Sequence, residues 1–228
     1  MPIGVLLNVA AVVIGGLIGT FAGDRLPERM KEGMNTVFGF CAMAMGISSV
    51  MLMKNMPAVI FAVIIGCFAG LWLDLDGRIR HGAEKLLARL NMGGDMNLMV
   101  TAIVLFCASG TGIYGSLVSG MEGDHSVLIA KAILDVFTAM IFACQLKKAV
   151  VLIAIPQLAV MLLFFFSAGL IVPLTNPNMI ADFKACGGVI LLATGLTIMK
   201  VKNARIANML PALALVMPVS ALWTALFG

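Results

Sequence analysis

Long uncharged runs of Leu, Ile, Val, Met, Phe, Ala and Gly alternate along this chain with short connectors that hold nearly all of the charge. About 20 such residues cross the hydrocarbon core of a bilayer as a helix. The runs therefore predict eight transmembrane helices, at about 3–22, 34–53, 57–74, 97–118, 126–146, 149–172, 180–199 and 209–227. The chain opens MPIGVLLNVAAVVIGG, with no Lys or Arg ahead of the apolar run and no clear cleavage site, so this run reads as the first transmembrane helix rather than a signal peptide.

Two of the eight carry internal conflict. In the fourth, ASGTGIYGSLVSG at 108–120 places four glycines in a short stretch, each costing about 1 kcal/mol of helix propensity against Ala. That span is expected to break or re-enter, with Gly110, Thr111, Gly112, Tyr114, Gly115 and Ser116 able to expose backbone groups to a pore or a substrate, in a place that is either buried or lines a cavity. The seventh reaches spanning length only by including Asp182 and Lys184, which are expected at its interfacial end. Between spans three and four, Ile79, Ala83, Leu86, Leu87 and Leu90 recur at helical spacing, with Arg78, Arg80, Glu84, Lys85 and Arg89 on the remaining faces. This predicts an amphipathic helix at about 77–91 on the cytoplasmic leaflet, as an anchor or as a gate or partner site.

Composition agrees: 61% of residues are hydrophobic, 11% are charged and the mean hydropathy is +1.09, which excludes a soluble domain. One membrane domain over 1–228 leaves almost nothing outside the bilayer. With alternate loops assigned to alternate sides, one side receives Arg25, Arg29, Lys31, Arg78, Arg80, Lys85, Arg89, Lys147, Lys148, Lys200, Lys202 and Arg205, twelve of the fifteen positive residues. The other receives Lys54 and Lys184. By the positive-inside rule both termini are expected outside the cytoplasm. Cys41, Cys67, Cys107, Cys144 and Cys186 lie in or beside apolar segments without a C-x-x-C pair and read as packing residues.

The chain also resembles itself. GFCAMAMGIS at 39–48 returns as GVILLATGLT at 188–197, an offset of 149 that also carries Asn8 onto Gln157. The connectors NMPA at 55–58 and NMLPA at 208–212 match as well. Together with the loop charges this predicts two inverted three-helix repeats, spans 1–3 (about 3–74) and 6–8 (about 149–227), flanking a two-helix insertion at about 97–146. Glycine pairs seven apart also arise by chance in a chain with 24 glycines.

Within the insertion, Lys131 and Asp135 stand four apart on one face of a helix and can pair. A charge at mid-membrane costs at least about 2.5–3.5 kcal/mol, which makes Asp135 a candidate cation or proton site with Lys131 tuning it. Alternatively, Lys131 snorkels outward and a neighbouring helix satisfies Asp135. Asn8 and Gln157 can line a substrate pathway or bond helix to helix. Gly15, Gly19 and Gly23, and Gly66 with Gly70, fit close helix packing. Asp124 and His125 precede span 5 on the outer side, as an N-cap or as a vestibule that collects cations.

Enzyme motifs are absent: no H-E-x-x-H, no Walker glycine loop, no G-x-S-G, and only His81 and His125 as histidines. No catalysis, cofactor, metal or nucleic-acid partner is expected. At SGTGIYGSLVSGMEGDHSVLIAKAILDVFTAMIFA (109–143), GGVILLATGLTIMKVKNARIANMLPAL (187–213) and the opening GVLLNVAAVVIGGLIGTFAGDRLPERMKEGM, the chain resembles the YdfK/YqgA-like family of bacterial inner-membrane proteins. The resemblance implies a polytopic inner-membrane protein of unknown function with a presumed transport role, and brings no substrate or cofactor. The expectation is an all-α polytopic membrane protein that forms a small secondary transporter or channel for a cation or small polar solute. A homodimer is expected because one protomer is thin for a pathway. The alternative is a non-transporting membrane scaffold or accessory subunit.

Overall fold

The computed structural model describes residues 1–22, 27–90, 96–107, 109–202 and 204–227. They form ten α-helices: α1 Ile3–Ala22, α2 Glu28–Val50, α3 Met56–Trp72, α4 Leu75–Leu90, α5 Met96–Cys107, α6 Gly110–Glu122, α7 Ser126–Leu146, α8 Ala149–Ile171, α9 Pro177–Ile198 and α10 Pro211–Phe227. No strand occurs among the described residues. A helix satisfies its own backbone groups, which is what a lipid environment demands of apolar segments this long.

Among the described residues seven spans are long and apolar enough to cross a membrane, with α5 and α6 forming one of them, Leu98–Glu122. The count is eight if Met56–Trp72 and Leu75–Lys85, bent by 51°, form one more. The bend falls at Leu73 and Asp74, where Asp74 takes a φ of 45° and ends α3. Along α4, Arg78, Arg80, Glu84 and Lys85 are exposed, Ile79 is half-buried and Ala83 is buried. The side chains of Leu86, Leu87, Arg89 and Leu90 lie outside the described residues, as do Gly23 and Arg25.

Local chemistry sets several boundaries. Asn176 accepts from the Met179 N–H at 2.9 Å, and Pro177 occupies the first turn of α9, where a missing N–H costs nothing. Ser109 starts α6 in the same way, accepting from the Gly112 N–H at 3.1 Å. Gly123, at a φ of 72°, ends α6 in the left-handed region that glycine tolerates. The fourth span is therefore interrupted, but ahead of the glycine segment: residues 110–116 are helical, and Thr111 through Ser119 are buried. The expected exposed backbone is corrected on this point. The Ser109 cap and close packing against α7 offset the low glycine propensity, since a Cβ on Gly115 would lie 2.7 Å from Leu128 Cδ2.

The chain divides into two compact units, one of Met1–Asn35 and Arg78–Ala168, the other of Thr36–Gly77 and Gly169–Gly228. In the first, α1 lies along α7 with Gly15 against the Val136 carbonyl and Gly19 against the Met140 carbonyl. Val12, Phe106, Ala139, Ala143, Val150 and Ile153 belong to its apolar core. Gly120 of α6 meets α8 at Phe165 and Ala168.

In the second unit, glycines set the contact between α2 and α9. A Cβ on Gly46 would stand 2.8 Å from the Gly188 carbonyl oxygen, and one on Gly188 would stand 2.6 Å from that of Gly46. Gly39 and Gly195 repeat the pattern at 2.8 and 2.6 Å, so the two helices run antiparallel with backbone nearly touching backbone. Gly66 and Gly70 of α3 meet Ala212 and the Asn208 carbonyl at the start of α10. These small-residue contacts let helices associate where lipid removes the hydrophobic drive between them.

A polar network in the first unit

Lys131 and Asp135 project from one face in the middle of α7, are 4% and 6% exposed, and are joined by a hydrogen-bonded ion pair. Asn8, one turn into α1, donates its side-chain N–H to Asp135 Oδ2 at 2.9 Å. Gln157 of α8 donates from Nε2 to Asn8 Oδ1 at 2.8 Å. Three helices thus bring four polar side chains from three distant parts of the sequence into one connected network, with Asn8 and Gln157 fully buried. An ammonium and a carboxylate give it no net charge, which is what makes burial at this depth tolerable.

The surroundings hold Lys131 in place. Its Nζ lies 5.9 Å from the centroid of the Phe106 ring on α5, within cation–π range. Its Cε passes 3.2 Å from where a Cβ on Gly112 would stand, so a glycine in the first turn of α6 leaves room for the lysine stem. Cys107 is close enough to feel both charges. Two buried oxygens in this unit have no hydrogen-bond partner among the described residues, Gln157 Oε1 and Ser116 Oγ.

Of the other residues singled out from the sequence, Thr111, Tyr114 and Ser116 are buried along α6, and the surroundings of Gly110, which opens that helix, lie outside the described residues. Asp124 Oδ1 accepts from the Ser126 N–H at 2.9 Å and from its hydroxyl at 2.6 Å, a turn bond just ahead of α7, whose N-cap position is His125. His125 Nδ1 and Ser119 Oγ are 2.7 Å apart and join α6 to α7. No group of three or more metal-ligating side chains occurs among the described residues.

A second polar cluster, in the other unit, escaped the sequence. Asp182 of α9 is fully buried. It accepts from the backbone N–H of Lys54 at 2.7 Å and of Asn55 at 2.9 Å, from Asn55 Nδ2 at 2.9 Å, and from Ser220 Oγ at 2.6 Å. The carboxylate thus pins the turn that leads into α3 from another helix, at an N-cap residue, Asn55, whose own side chain makes no cap bond. Asn208 plays a related part, accepting from the Asp76 N–H at 2.9 Å at the start of α4. An Asp that looked interfacial gave no sign of this role; the Asn before Pro57, a helix start without a cap of its own, was the available hint.

Residues 3–221 match a family described as a protein of unknown function, DUF554. The chain is similar to the uncharacterized protein YqgA of Escherichia coli, 45% identical with the whole of both chains covered. It is also similar to the uncharacterized membrane protein YdfK of Bacillus subtilis, 24% identical over 92% of each. No solved structure matches.

Proposed function

The chain belongs to the DUF554 family of proteins of unknown function, and we propose that it is a small secondary transporter or channel that passes a cation or small polar solute through the network around Asp135. The protein is a membrane protein, on the strength of its apolar spans and of its likeness to a relative described as one. The observation that carries the transport reading is the buried Lys131–Asp135 pair linked to Asn8 and Gln157 in the first unit. Ionisable residues kept within spans at this cost mark ion and substrate pathways more often than they mark packing. An interrupted span beside them is a further transporter feature.

The inverted repeat belongs to this proposal. Residues 39 and 46 correspond to 188 and 195 at the offset of 149, and the contacts cross, Gly39 to Gly195 and Gly46 to Gly188. Such reciprocity is what a local twofold relation between antiparallel copies produces. In the first unit, Asn8 bonds to its own counterpart Gln157, as residues near such an axis do. Outward termini, a homodimer and a bacterial inner-membrane location complete the proposal. The protein carries out no catalysis in it.

A membrane scaffold is the competing reading, and the saturated bonding of Asp182 favours it, since that carboxylate serves only to fix helices. The two part in proteoliposomes challenged with a panel of cations and small polar solutes. The transport reading predicts flux that is lost in a Lys131→Met/Asp135→Asn variant of preserved fold. A purified, folded protein that passes nothing in the panel supports the scaffold instead.

A further inference from the structure

The network has a direction set by its carboxylate. An ionised carboxylate only accepts hydrogen bonds, so Asn8 turns its NH2 toward Asp135 and its carbonyl oxygen toward Gln157. Gln157 must answer with its own NH2. Its Oε1 is thereby left without a donor, although the residue is fully buried. Amide orientation is often an arbitrary choice between O and N, but here each amide is fixed by the one before it, back to Asp135.

We propose that Gln157 Oε1 is the docking point for an N–H donor of a small solute, an ammonium ion being the simplest, and that a proton on Asp135 reverses the relay and expels it. The proposal rests on the transport reading for its use but not for its chemistry. A hydronium ion passes one proton to a carboxylate oxygen of Asp135: an O–H bond of the hydronium breaks as the carboxyl O–H forms, and a neutral water is left. The acid now donates, and Asn8 accepts it by turning its amide over. Asn8 Nδ2 then faces Gln157, which turns its own Oε1 inward to accept. Nε2 takes the place of Oε1 at the unpaired end, where an acceptor has become a donor and repels an ammonium ion. Loss of the proton restores the first arrangement. Proton and solute thus occupy alternate states of one relay, the condition for exchange of one against the other.

The groups facing Asp135 permit this. On α7 Lys131 remains bonded to the carboxyl group in both states, and on α5 Cys107 is the other titratable group near the pair. Against the pair α1 and α8 present the amides of Asn8 and Gln157, and α6 presents Gly112. The bonds that Asp135 accepts from Asn8 and Lys131 bring donors to it, so an ammonium ion meets its free oxygen at Gln157.

The chain has two glutamines, and Gln145 is exposed. A Gln145→Ala protein grown with carbonyl-labelled glutamine therefore reports Gln157 alone, in an otherwise native core. Infrared difference spectra in nanodiscs, from alkaline to acid pH, should show a protonated carboxyl band together with a shift of the labelled amide band. Both should be lost in the Lys131→Met/Asp135→Asn variant, and the amide shift alone in Asn8→Ala. Ammonium chloride should shift the amide band at alkaline pH and move the carboxyl transition to lower pH. Carboxyl protonation without an amide shift, no carboxyl protonation, or no response to ammonium would each overturn the relay. A relay that behaves as described in a protein inert in the flux panel would overturn transport and leave the relay standing.

Discussion

Each unit of this protein buries an aspartate bonded to an asparagine 127 positions earlier, Asn8 with Asp135 and Asn55 with Asp182, and the two are used in opposite ways. Asp182 is saturated by four bonds from neutral donors, two of them backbone N–H groups of the turn before α3. The carboxylate itself is fully buried and cannot lose these donors without being left unpaired, so it is a rivet. Asp135 is met by a side-chain ammonium and by one end of an amide chain whose far end is unfinished. The same residue type becomes structural where its partners are backbone, and adjustable where they are side chains with two orientations.

Charge removal should separate the two most strongly. Lys131→Met alone strands the Asp135 carboxylate and should cost about 3–5 kcal/mol, whereas adding Asp135→Asn, which keeps an acceptor for Asn8, should bring stability back to within about 1 kcal/mol of the parent. Thermal unfolding in detergent checks both, and a double variant as unstable as the single would break the contrast. For Asp182→Ala, no second change restores the orphaned N–H groups; the loss should be about 3 kcal/mol or more, seen as poor folded yield in size-exclusion chromatography. A smaller effect tests the reciprocal contact. Gly46→Ala and Gly188→Ala should each cost about 2 kcal/mol because a backbone carbonyl stands in the way, and by matching amounts if the contact is twofold. Smallest of all, Asp124→Ala should cost about 1 kcal/mol or less through the lost turn bonds to Ser126 and leave flux unchanged. Altered cation uptake in that variant would support the vestibule.

What could be read beforehand follows the range of the physics involved. Hydrophobic runs set the spans, and α7 at Ser126–Leu146 falls where its run does, because lipid tolerates few exceptions to the rule that charge marks an end. Lys131 and Asp135 were legible because helix geometry alone pairs positions four apart. The link from Asn8 to Gln157 followed from the offset of 149. Asp182 was missed because its partners lie on a turn and on α10, brought together by packing that no local period encodes. The glycine segment was misjudged for a related reason: propensity argued for open backbone, whereas the Ser109 cap and the fit of Gly112 and Gly115 against α7 decided for a helix.

The most direct test compares two neutralised variants per folded molecule in the same proteoliposome assay, using whichever cation or solute the parent protein passes. Lys131→Met/Asp135→Asn should fold well and carry nothing, and Asp182→Asn should fold poorly yet carry at the parent rate in the molecules that survive. Undiminished flux through the first, or selective loss of flux in a well-folded second, would contradict the division of labour between the two aspartates.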